Sequence, residues 1–230
     1  YIVHLSSKEG LARVKEARDK GVKVFAETCP QYLLLDEERY KEAGFNGAKY
    51  VMSPPLRTKA SNQALWEGIN RGDVQVLATD HCPFDIKGKK DMNGTDDYRK
   101  IPNGAPGIET LLMLMHSEGV VKGKITLEKM VDVLSTATAK MFGLADKGEI
   151  IVGKDADIVI FDPNQKFTIT QKKLHMNVDY TPYEGMEVTG MPVATYSRGK
   201  KVSEWQTDHV EFVGKKGHGR FVKRVPLTHF

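Results

Sequence analysis

The chain has 230 residues, 40% hydrophobic and 28% charged, with a formal net charge of +4. That is enough chain for one large domain or two modest ones, and its acids and bases are mixed along most of its length, which argues against a nucleic-acid partner. No apolar run approaches membrane-spanning length and no signal peptide is visible, and two cysteines, Cys29 and Cys82, make no disulfide framework and read as reduced thiols of a cytoplasmic protein.

Tyr1 opens inside what reads as a buried strand, with no methionine, polar lead-in or cap, so upstream protein is expected. That strand, Tyr1-Ile2-Val3-His4-Leu5, ends in a histidine followed by Ser6-Ser7, either of which suits a helix N-cap. A helix is predicted over residues 8–20 with Leu11, Val14 and Ala17 on one face and Gly21 as the stop. Residues 22–27 read as the next strand, which completes a βαβ unit of the parallel-sheet kind. Tyr32, Leu33, Leu34 and Leu35 are core candidates, and a short helix is predicted over 36–42.

Tyr50-Val51-Met52-Ser53-Pro54-Pro55-Leu56-Arg57 cannot be a regular helix or a central strand because of its two prolines. It reads as a rigid loop presenting backbone groups. A helix is predicted over 62–70, then a buried strand over 74–78 that runs into Thr79-Asp80-His81-Cys82-Pro83-Phe84. Residues 85–100 are polar and charged and read as a mobile surface excursion. The prolines and Asn-Gly of Ile101-Pro102-Asn103-Gly104-Ala105-Pro106-Gly107 predict a tight loop, with Pro106 opening a helix through Met115. Two more helices are predicted over 126–134 and 138–142.

The texture changes near residue 146. Residues 148–162 read as strand, tight turn and strand, and further β segments are predicted over 167–170, 193–198 and 201–205, with Arg198-Gly199-Lys200 as a hairpin turn. Lys215, Lys216, Arg220, Lys223 and Arg224 then make a basic tail without a nearby acid in sequence, read as solvated or as a strap onto a neighbouring subunit. The expected organisation is 1–146, 147–205 and a tail over 206–230.

Taken alone, Asp80 after an apolar run fits a cap or turn, and a lone His4 fits a packed core. Two short strands that each deliver a metal-type ligand at the same end fit a site better. In barrels of parallel strands the reactive side chains sit at the C-terminal strand ends.

Five motifs then stand in one order: Val3-His4-Leu5-Ser6-Ser7, Glu27-Thr28-Cys29-Pro30-Gln31-Tyr32, Met52-Ser53-Pro54-Pro55-Leu56-Arg57, Ala78-Thr79-Asp80-His81-Cys82-Pro83-Phe84 and Pro102-Asn103-Gly104-Ala105-Pro106-Gly107-Ile108-Glu109. Together they resemble the dihydropyrimidinase/hydantoinase branch of the amidohydrolase superfamily over nearly the whole chain, and Gly148-Glu149-Ile150 with Asp155-Ala156-Asp157-Ile158-Val159 resembles its β-sandwich segment.

The resemblance implies an α/β fold, the C-terminal part of a (β/α)8 TIM-like barrel followed by part of a β-sandwich. It implies two zinc ions per subunit and a hydroxide shared between them that attacks the carbonyl of a cyclic amide such as 5,6-dihydrouracil, dihydrothymine or a hydantoin. By position in the motifs, His4 and Asp80 match metal ligands, Asp80 also matches the proton shuttle, and Ser53 and Asn103 match residues whose backbone groups hold the ring amide. The family's remaining metal ligands, a carboxylated lysine among them, belong to the N-terminal half of the barrel and have no counterpart here. This polypeptide alone is therefore expected to be inactive, and the intact enzyme is expected to be a homo-oligomer, a tetramer by family habit.

Two other readings stay open from sequence. One is an allantoinase or a dihydroorotase, the latter needing a cation for its substrate carboxylate, for which Arg57 is the candidate. The other is a non-catalytic scaffold of the collapsin-response mediator type, which retention of both His4 and Asp80 disfavours.

Overall fold

The structure is a computed structural model that describes residues 1–226; residues 227–230, the end of the expected basic tail, lie outside the described residues. Ser7 caps helix α1 (Lys8–Asp19), its Oγ accepting the Gly10 N–H at 3.1 Å. Leu11 and Val14 are buried on one face of α1, and α1 packs against helix α3 (Lys59–Arg71), which buries Leu65, Trp66 and Ile69. Thr58 caps α3 and Gly72, at φ 81°, ends it. Between them lies helix α2 (Pro30–Leu34), which opens on proline, where a missing N–H costs nothing.

These helices flank a small parallel sheet. Strand β1 (Glu27–Thr28) pairs with strand β2 (Val76–Leu77), Glu27 opposite Val76 and Thr28 opposite Leu77. Ile2 bridges Ala26 in parallel on the other side. The strands are shorter than the apolar runs that announce them, because side chains replace part of the ladder: Gln75 Oε1 accepts the Ala26 N–H at 3.0 Å, and Thr28 Oγ1 donates to the Leu5 carbonyl at 2.7 Å. A further parallel bridge joins His81 to Ala105.

The second half holds a four-stranded antiparallel sheet among the described residues, in the order β3 (Ile158–Thr168), β4 (Glu187–Ser197), β5 (Lys200–Trp205), β6 (Val210–Phe212). The turn between β4 and β5 is the expected hairpin. Arg198 and Gly199 both have positive φ, 47° and 74°, as a tight right-twisted hairpin requires.

Four expectations are corrected. Residues 148–152 form no strand: Ile150 is 82% exposed and Val152 wholly exposed, and among the described residues no strand pairs with them. Pro106 does not open the following helix. The chain turns again after it, and helical structure starts at Leu111 and runs through residues 111–121. The two helices expected around residues 126–142 are one continuous run over 127–141, because a wide turn at Asp132–Thr136 carries the helix through Ser135 and Thr136 instead of breaking it.

The fourth correction concerns residues 85–100, which are not a free excursion. They form a turn at Ile86–Lys90, a short helix at Asp91–Gly94 and a further turn at Tyr98–Lys100. Asp179 pins the first turn by accepting the Ile86 and Lys87 N–H groups at 2.8 and 3.0 Å.

The stretch beyond Trp205 turns back onto its own chain. Val210–Phe212 extends the sheet, Arg220 donates to both carboxylate oxygens of Asp155, and the Val225 N–H reaches the Gly143 carbonyl at 2.9 Å. Among the described residues no helix is long and apolar enough to cross a membrane.

Candidate active site

His4, Glu27 and Asp80 come from neighbouring parallel segments and lie toward their C-terminal ends. His4 is half-buried and Asp80 exposed. Both have left-handed backbone, φ 41° and 48°. The third non-glycine residue with positive φ among the described residues, Arg198, is accounted for by its hairpin. Such conformations cost of order 1–3 kcal/mol each and gather at functional sites. His and Asp are among the side chains that adopt them most readily, so here backbone bend and residue type agree. Each bend re-aims its side chain where the strand ends.

Glu27 was not singled out from sequence. Its carboxylate accepts the Tyr1 hydroxyl at 2.5 Å and lies 3.4 Å from the His4 N–H. The available signal was an acid at the end of the strand expected over residues 22–27; in the sheet Glu27 pairs with Val76, four residues before Asp80. Cys29, two residues on, is fully buried. Burial first, then the nearby carboxylates of Glu27 and Asp80, push its thiol well above the usual range. Cys29 therefore stays protonated and inert. The Tyr32 hydroxyl is raised too, by burial first and then by the nearby Asp80 carboxylate.

The two proline loops meet. The Gly104 N–H donates to the Val51 carbonyl at 3.0 Å, and Tyr32 Oη donates to the Pro54 carbonyl at 2.9 Å. Ser53 and Asn103, both exposed, line one open cleft of about 670 Å³ with Tyr40, Phe45, Met52 and Tyr98. His4 and Asp80 are not among its lining residues.

The Asp80 segment is nonetheless stitched to the Asn103 loop. His81 Nδ1 accepts the N–H groups of Gly107 and Ile108 at 3.1 and 3.3 Å, so Nδ1 carries no proton. The Cys82 N–H reaches the Ala105 carbonyl at 3.1 Å, and its thiol lies 3.8 Å from the Asn103 carbonyl. His81 thus ties down the loop, and Cys82 sits behind it.

Lys90 was missed altogether from sequence. It is completely buried, and its Nζ donates to the carbonyls of Ala48, Val51 and Gly104 at 2.9, 3.1 and 2.9 Å.

At the far end of the loop, Glu109 accepts the backbone N–H of His175 at 2.6 Å and faces its Nδ1 at 2.8 Å. Hydrogen bonding to Glu109 raises the His175 pKa above its usual 6.5. The stabilisation is therefore complete below the unfolded value and is lost as pH rises through the folded one. His175 is more than half exposed, so the effect is at most about 1 kcal/mol. Melting curves should place Glu109→Gln below the parent by up to about 4 °C at pH 5.5, with the gap closing by pH 8.5. A gap that widens with pH contradicts the pairing.

A histidine nitrogen and a carboxylate oxygen are donors that zinc accepts. Among the described residues, however, no group of three or more His, Cys, Asp or Glu side chains is arranged to hold a metal ion. His4 and Asp80 fit part of a donor set.

The amidohydrolase family's sequence profile matches residues 2–202, and the chain belongs to that family. Within it the similar proteins are hydantoinases and dihydropyrimidinases, the branch expected from the five motifs. The chain is 49% identical over 226 residues to a D-hydantoinase of Geobacillus stearothermophilus, covering 98% of this chain and 47% of the relative. It is 45% identical to a D-hydantoinase of Streptomyces coelicolor with the same coverage. The solved dihydropyrimidinase of Brevibacillus agri superposes with a TM-score of 0.92 at 49% identity, over 97% of this chain and 48% of that one. The chain spans about half the length of the curated relatives it matches.

Proposed function

We propose that the protein to which these residues belong opens cyclic amides by zinc-dependent hydrolysis, with dihydropyrimidines or hydantoins as substrates. The observation that carries this reading is the joining of the Asp80 strand end to the Asn103 loop through His81, with Ser53 and Asn103 lining one cleft. Similarity to hydantoinases over almost the whole chain supports it. In this reading the parallel segments belong to a (β/α)8 barrel and the antiparallel sheet to a β-sandwich.

His4 and Asp80 would hold zinc, and further residues of the barrel would complete the donor set. Zinc, when bound, supplies a nucleophilic water at neutral pH and polarises the amide carbonyl. The exposed backbone groups beside Ser53 and Asn103 are suited to a flat ring carrying both N–H and C=O, because their loops are stiff before substrate arrives. Asp80 takes the proton of the attacking water on a carboxylate oxygen and delivers it to the departing ring nitrogen, which otherwise leaves as a poor amide anion.

The test is ring opening of 5,6-dihydrouracil and of hydantoin by the intact protein, before and after metal removal by chelation. Activity lost on chelation and restored by zinc is expected. A protein that binds zinc stoichiometrically but opens neither ring contradicts the reading, and one that binds no zinc at all favours the scaffold.

A further inference from the structure

We propose that Lys90 is a positioning residue of the cleft: its ammonium clamps the Ser53 and Asn103 loops in the relative placement that holds the ring amide. The inference rests on the cleft being the cyclic-amide site.

The geometry is a closed circuit. Lys90 Nζ donates to the Val51 carbonyl and to the Gly104 carbonyl, while the Gly104 N–H donates to that same Val51 carbonyl. A third bond, to the Ala48 carbonyl, anchors the turn that precedes the Ser53 loop. Within the planar peptide joining Asn103 to Gly104, the N–H and the Asn103 C=O point in opposite directions. Fixing the N–H on Val51 therefore fixes where the Asn103 carbonyl is aimed. Tyr180 closes the arrangement from the other side: its hydroxyl donates to the Gly104 carbonyl at 3.3 Å, and its ring lies 5.7 Å from Nζ.

The placement is costly, which argues against an incidental burial. Among the described residues no carboxylate pairs with Lys90, so a full charge is held by carbonyl dipoles and one aromatic face. Burial pushes its pKa down to about 8. A flexible lysine that needed only to be accommodated would extend to water. This one instead satisfies three carbonyls, those of Ala48 and Val51 in the wall of the cleft and that of Gly104 next to Asn103, which lines it.

The clamp separates from general stability in two readouts. In the intact protein, Lys90→Met is expected to raise KM for the cyclic amide at least tenfold while kcat falls less than threefold, with zinc content unchanged. Tyr180→Phe is expected to show the same split on a smaller scale, about two- to threefold in KM, and serves if Lys90→Met does not fold. Hydrogen exchange reads the clamp without turnover: the Gly104 amide should exchange at least tenfold faster in whichever variant folds. Unaltered Gly104 protection overturns the clamp even where the parent enzyme is active. Faster exchange with KM unchanged overturns the positioning role. A parent protein that opens no cyclic amide removes the functional reading, while the exchange result still decides whether the clamp exists.

Discussion

Asp80→Asn in the intact protein is expected to lower kcat for ring opening by about 10³-fold, within the range that removal of a general acid–base group produces. KM should change little, because the ring is held by backbone groups near Ser53 and Asn103 and not by this carboxylate. The substitution is almost isosteric and lies on an exposed side chain, so the melting temperature should stay within about 2 °C. The amide cannot accept the proton of the attacking water at neutral pH and offers a poorer donor set to a metal. Measuring zinc content alongside rate separates the two effects. A variant that keeps its zinc and loses its rate assigns proton transfer to Asp80. A variant within tenfold of the parent rate removes Asp80 from the chemistry.

The second large effect is expected at Gly104. Its φ of 141° lies in a region that L side chains rarely adopt. A Cβ there would stand 2.4 Å from the Cys82 carbonyl oxygen and 2.7 Å from the Cys82 Cβ. Neither neighbour yields easily, since the Cys82 backbone is itself bonded to Ala105. Gly104→Ala combines backbone strain with steric overlap at a closed circuit of hydrogen bonds, and a loss of about 3–5 kcal/mol is expected. For a chain of this size that lowers the melting temperature by about 6–20 °C. In the intact protein ring opening should fall as well, even well below the melting point, because the Asn103 carbonyl loses its aim. A melting temperature within 2 °C of the parent shows that the loop relaxes at little cost.

These two positions were legible in the sequence to different degrees. Asp80 stands at the end of an apolar run, and the expectation that it belongs to a site follows from pattern alone once His4 repeats the arrangement. Gly104 lies in an Asn-Gly-Ala-Pro-Gly loop whose tightness is readable, although its partner, Cys82, is not. Lys90 was invisible for a physical reason. A lysine among lysines and aspartates looks solvated, and its burial is decided by the Ala48 and Val51 carbonyls about forty residues upstream. The misread apolar run at Ile150-Ile151-Val152 is the converse case: β propensity makes a strand only where a partner edge is present. Ser135 and Thr136 looked like a break, yet the helix absorbs them by widening one turn.

The two sheets also differ in how hard they are to assemble. β4 and β5 meet across the two-residue turn at Arg198 and Gly199. The parallel sheet joins groups as far apart as Ala26 and Gln75, 49 residues distant in the chain. By the usual logarithmic scaling, closing the larger loop costs about 3 kcal/mol more in chain entropy. Local contacts form before distant ones return that cost. The hairpin is thus a nucleus available early in synthesis or refolding, and the parallel segments that carry His4 and Asp80 come together only when distant segments dock. A chain stalled partway would display the β4–β5 hairpin while His4 and Asp80 were still apart.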